Sequence, residues 1–137
     1  MSKIKLPANI YNLRKLIQFV SNFAKEKGFA RKRIQEIELA VEEAFVNISK
    51  YAYLDKNTGE VEVRCQMNND AELVIEILDT GAPFDIRYFS EPDLNVNISD
   101  REIGGLGIFL IRKMVDEIHY RRDGGSNILS FIIRKND

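Results

Sequence analysis

Apolar residues along this chain repeat at helical spacing, then at every second position, then at helical spacing and every second position again, and that order limits the architecture more than any other feature. Over 12–27, Leu13, Leu16, Ile17, Val20 and Phe23 recur at helical steps, and Gly28 stands where a helix would stop. Over 31–52, Ile34, Ile37, Val41, Ala44, Phe45, Ile48 and Ala52 form one stripe at three- and four-residue steps, while Glu43 and Asn47 share a separate face. Past a turn at 55–59 the spacing becomes two. Val61, Val63, Cys65 and Met67 alternate with Glu62, Arg64 and Gln66; beyond a tight turn at 68–70, Leu73, Ile75 and Ile77 alternate with Glu72, Val74 and Glu76. These two strands predict an antiparallel hairpin. A short apolar helix follows over 108–115, and strands at 118–122 and 128–134 flank Asp123-Gly124-Gly125-Ser126, whose glycines can take the positive φ of a hairpin turn. With a strand ahead of the first helix, the order is strand, helix, helix, strand, strand, loop, helix, strand, strand. It predicts an α+β fold: a two-layer sandwich with a mixed, mostly antiparallel sheet and helices on one face.

Composition narrows the function classes. Twenty Lys and Arg stand against 21 Asp and Glu, a net charge of −1 with the single histidine neutral, so no basic footprint for nucleic acid and no polybasic membrane anchor is expected. Cys65 is the only cysteine, which excludes an intrachain disulfide and a thiolate-only metal site and fits a reducing, cytoplasmic setting. No apolar run approaches the length of a membrane span. No repeat or linker divides the chain, so one domain over 1–137 is expected. His119 has no second histidine or cysteine partner, and Cys65, in phase with Val61 and Val63, reads as a small core residue.

Three clusters have chemical potential. Glu43 and Asn47 set a carboxylate and a carboxamide one helical turn apart, a proton acceptor beside a neutral oxygen ligand for a hard cation, or else part of a solvated face with Glu38 and Glu42. Asp79-Thr80-Gly81-Ala82-Pro83-Phe84 ends an apolar strand: its aspartate either needs a donor such as a purine amino group, or caps its own turn. Gly104-Gly105-Leu106-Gly107 opens a helix and offers unpaired N–H groups to a phosphate, unless it serves close packing. It is neither a dinucleotide fingerprint nor a Walker loop, since Leu110 takes the place of the third glycine and no Gly-Lys-Ser/Thr follows. Between the last two clusters, residues 85–103 hold no period and are polar, as functional lids often are.

Taken in order, the clusters resemble the N, G1 and G2 boxes of the GHKL (histidine kinase-like, Bergerat-fold) ATPases. The likeness is nearest to the anti-sigma-factor serine kinases of the RsbW and SpoIIAB type, and it covers nearly the whole chain. It is carried by Leu6-Pro7-Ala8, Glu38-Leu39-Ala40-Val41-Glu42-Glu43-Ala44 through Asn47 to Tyr51-Ala52-Tyr53, Asp79 to Asp85, and Arg101 to Ile111. The resemblance implies ATP and Mg²⁺ as cofactors, with Asn47 on the Mg²⁺ and Glu43 as general base for the attacking hydroxyl. It further implies that Asp79 accepts from the adenine amino group beside Gly81, that Gly105, Leu106 and Gly107 bind phosphates through their N–H groups, and that Ser130 lies on the adenine side. Residues 85–103 become an ATP lid with glycine hinges. The implied function is a protein serine/threonine kinase acting as anti-sigma factor in partner switching. Such an enzyme binds a sigma factor, phosphorylates a STAS-type antagonist and works as a homodimer with partners docking near 12–27. The alternative is a nucleotide-binding regulatory module without significant phosphotransfer. One departure is Tyr51, where many relatives have His; it leaves Glu43 and Asn47 intact.

Overall fold

The computed structural model describes residues 1–52, 59–83 and 105–135. The expected order of elements holds: β1 (Ser2–Pro7), α1 (Leu13–Glu26), α2 (Arg31–Asn47), β2 (Glu60–Asn69), β3 (Glu72–Asp79), α3 (Gly105–Met114), β4 (Glu117–Asp123) and β5 (Ser126–Arg134). The five strands among the described residues form one sheet in the order β1-β2-β3-β5-β4. Every pairing among the described residues is antiparallel, so the mixed character expected of the sheet is not seen there.

Strand alternation sorts the side chains into two faces. Ile4, Val63, Ile77, Leu129 and Tyr120 lie across from one another in register on the inner face, followed by Cys65, Ile75, Phe131 and Ile118. Val63, Cys65, Ile75, Ile77 and Phe131 are wholly buried there. From the helical layer, Leu16 and Val20 of α1, Ile37, Val41 and Phe45 of α2 and Ile111 of α3 join the same core. Among the described residues no helix is long and apolar enough to cross a membrane.

Local chemistry sets the boundaries. Gly28 at φ 87° ends α1, with Phe29 N–H donating to Ala24 O at 3.1 Å and Gly28 N–H to Lys25 O at 3.1 Å, the paired bonds of a Schellman motif. The β4–β5 hairpin turns on Gly124 and Gly125, both at positive φ (56° and 85°), as their place between two strands predicted. The second helix stops sooner than its apolar stripe: α2 ends at Asn47 and the chain widens into a π-helical turn over Ile48–Ala52. The β2–β3 turn falls beyond 68, at Asp70 and Ala71, where Asn69 Oδ1 accepts the Ala71 N–H at 2.8 Å.

Away from the sheet centre, buried Arg33 ties three elements together. Its guanidinium donates to Met114 O at the end of α3 (2.8 Å), to Arg134 O at the end of β5 (2.9 Å) and to the Asp116 and Glu36 carboxylates. Replacing it leaves two carbonyls and two carboxylates each one donor short, so Arg33→Met is expected to lower unfolding free energy by about 3 kcal/mol, read as a fall in the urea midpoint at constant slope.

Candidate nucleotide-binding and phosphotransfer site

Two groups of candidate residues take shape. The first lies at the end of α2. Asn47 is 3% exposed, and its Nδ2 donates to the Glu43 carbonyl at 2.8 Å. That bond fixes the amide and leaves Oδ1 as a buried acceptor with no donor among the described residues, which suits a neutral oxygen ligand for Mg²⁺. Glu43, one turn earlier, is half-buried; burial, and then the neighbouring Glu42, push its pKa up, against a smaller opposing pull from Lys50. A carboxylate raised in this way is a better proton acceptor than a solvated one. The π-helical turn that follows interrupts the regular ladder directly beside the pair, a distortion frequent at functional sites.

The second group lies at the end of β3. Asp79 is 5% exposed on the inner face, in phase with Leu73, Ile75 and Ile77. Its Oδ1 accepts the Gly81 N–H at 2.9 Å and Asn127 Nδ2 at 2.9 Å, leaving Oδ2 without a donor among the described residues. The turn-capping reading of this aspartate is what the bonds display: one oxygen accepts from its own turn. Burial raises the Asp79 pKa, while the bonds from Asn127 and Gly81 and the Arg122 charge act in the opposite sense.

Gly105, Leu106 and Gly107 form the first turn of α3, where main-chain N–H groups have no partner within the helix. No acidic residue occupies that turn, and Arg112 and Lys113 stand at the opposite end, where they complement the dipole. Gly104, and the lid expected over 85–103, lie outside the described residues.

Ser130 is not brought to this site. It pairs with Glu76 on the outer face of the sheet, whereas Asp79 pairs with Asn127 on the inner face. On the last strands the polar group that this register sets beside Asp79 is Asn127, 3% exposed. The phase itself was a usable signal, because Asn127 alternates with Leu129, Phe131 and Ile133 and is thus a polar residue on an apolar face. Cys65 is buried, with its thiol pushed up to about 12 by desolvation, and His119 faces outward against Glu117 at 3.0 Å.

Among the described residues, a sheet backed by three helices carries a buried strand-end aspartate, a helical Glu/Asn pair and a glycine-started helix, the arrangement expected of a nucleotide-binding phosphotransfer protein. Comparison with known proteins agrees. The profile described as "Histidine kinase-like ATPase domain" matches residues 6–133. The serine-protein kinase RsbW of Bacillus licheniformis is 33% identical over 115 residues, 80% of this chain and 70% of that protein. RsbW of Bacillus cereus is 28% identical over 131 residues, 93% of this chain and 81% of its own. Among solved structures, the RsbU and RsbW domains of a Mycobacterium tuberculosis protein superpose with TM-score 0.65 at 14% identity, covering 98% of this chain and 32% of that one, a likeness of fold. The chain belongs to the histidine kinase-like ATPase family, in its branch of RsbW-type serine-protein kinases.

Proposed function

We propose that this chain is an ATP-dependent protein serine/threonine kinase that acts in the cytoplasm as an anti-sigma factor, holding a sigma factor and phosphorylating a STAS-type antagonist. The observation that carries the reading is the Glu43–Asn47 pair: a half-buried carboxylate one turn from a buried amide whose nitrogen is tied down and whose oxygen is left. Glu43 takes the proton from the attacking serine or threonine hydroxyl, and Asn47 would hold Mg²⁺, which when bound neutralises charge on the phosphates. The first-turn N–H groups of α3 hold the phosphate chain, and Asp79 Oδ2 accepts from the adenine amino group. Phosphoryl transfer demands mainly positioning and charge neutralisation, so this set suffices without a Walker lysine. The phosphate adds nearly two negative charges to the antagonist's docking surface and weakens its rebinding. Homodimerisation and partner docking near α1 belong to the same reading; Tyr11, 90% exposed, and Ile10, 51% exposed, place apolar surface there.

The test is transfer from γ-labelled ATP to a STAS-type antagonist domain, with complex formation scored in parallel. Label on an antagonist serine or threonine is the expected result. A nucleotide-dependent complex that never becomes labelled would instead make the chain a regulatory module that binds ATP without transferring its phosphate.

A further inference from the structure

Asn127 makes more hydrogen bonds than its place in a strand requires. Nδ2 donates to Asp79 Oδ1 at 2.9 Å and to Ala82 O at 2.8 Å, while Oδ1 accepts from the Tyr120 hydroxyl and from Arg122 Nη1 at 3.1 Å. Two amide hydrogens and two lone pairs are all engaged, so the side chain has nothing left to offer a ligand. Nor can it turn over: the flipped amide would set its oxygen against the Asp79 carboxylate and its NH₂ against the Arg122 guanidinium. Arg122 Nη1 also donates to Gly81 O at 2.7 Å. The end of the β4–β5 hairpin thus grips the 79–82 turn at the Asp79 carboxylate, the Gly81 carbonyl and the Ala82 carbonyl.

A carboxylate free to rotate accepts from any donor on either oxygen. Here Oδ1 is occupied twice, and Oδ2 alone remains, pointed by the amide. An ionised oxygen in a fixed position accepts from a 6-amino purine and repels a 6-oxo purine; once protonated, it can donate to the oxo group and the discrimination fades. We infer that Asn127, oriented by Tyr120 and Arg122, is a positioning residue that makes Asp79 selective for 6-amino over 6-oxo purine nucleotides. The inference rests on the reading of Asp79 as the base-recognising carboxylate.

The test measures binding of ATP and ITP across a pH series. Asn127→Leu is expected to cut the ATP-to-ITP affinity ratio about tenfold, and Tyr120→Phe about threefold, because a hydrogen bond to a charged group is lost in the first and only loosened in the second. In Asn127→Leu the ratio also falls away at a higher pH than in the parent, since the bond that favours ionised Asp79 is gone. Equal weakening of both nucleotides, with ratio and pH profile unmoved, would reduce Asn127 to a structural role and overturn the proposal. No change in either nucleotide would do the same. Should Asn127→Leu not fold, Tyr120→Phe decides, because it leaves both bonds from Asn127 to the 79–82 turn in place. Asp79→Asn, run alongside, separates the two readings: a ratio unaltered there removes Asp79 from base recognition altogether. A ratio lost there but kept in the other two variants removes only the positioning role.

Discussion

Asp79→Asn is expected to lower ATP affinity about a hundredfold while leaving the protein folded, with a melting temperature equal to or above the parent's. The two halves of this result have separate causes. The amide oxygen of the variant can still accept from Gly81 N–H and Asn127 Nδ2, so the turn keeps its internal bonds. At the outer position an NH₂ replaces Oδ2 and meets the adenine amino group donor to donor. The thermal effect follows from the raised pKa of Asp79 in the folded state. A carboxyl whose folded value lies above its unfolded one binds protons more tightly when native, so its contribution to stability falls as pH rises through that window. Above that window the native state carries a buried charge that the variant lacks. The melting advantage of Asp79→Asn should therefore shrink on acidification. Calorimetric titration of ATP and melting curves over the same pH range read both effects. Unchanged ATP affinity would place the base elsewhere.

The sequence made much of this site legible, and the failures have a common origin. What depends on local period was readable apart from two element ends: the strand through 61–67, the helix beginning at Arg31, the hairpin at Gly124-Gly125 and the aspartate closing an apolar strand. Cross-strand register was not readable from a motif. The resemblance implies an adenine-side role for Ser130 on the last strands, yet its odd phase relative to Leu129 and Phe131 turns it outward, and Asn127 faces Asp79 instead. Arg33 was equally hidden. It sits in the first turn of a helix like any surface cation, and its partners Met114, Asp116 and Arg134 lie far along the chain. The early end of α2 had a weak local signal in Asn47, a poor helix former that turns its amide back onto Glu43 O.

Glu43→Gln is expected to retain ATP binding within about threefold and to lose phosphotransfer by a factor on the order of 10² to 10⁴, the range associated with a positioned general base. The substitution keeps size and polarity but removes the proton acceptor, and the Glu43 carbonyl that holds Asn47 belongs to the main chain and survives it. The loss should therefore appear in the rate of transfer at saturating ATP rather than in nucleotide affinity. The pH dependence gives an independent sign. A base must be ionised, so transfer falls as pH drops through the Glu43 pKa, and burial with Glu42 places that acid limb above the ordinary glutamate value of 4.5. Removing Glu42's charge should move the limb down, and removing Lys50's should move it up, because the two act on Glu43 in opposite senses. Transfer rates for Glu42→Gln, Lys50→Met and the parent from pH 5 to 8 would show the two shifts in opposite directions. A limb that ignores both substitutions, or a Glu43→Gln enzyme as fast as the parent, assigns the proton acceptor to another group and leaves Glu43 a polar neighbour of the Asn47 amide.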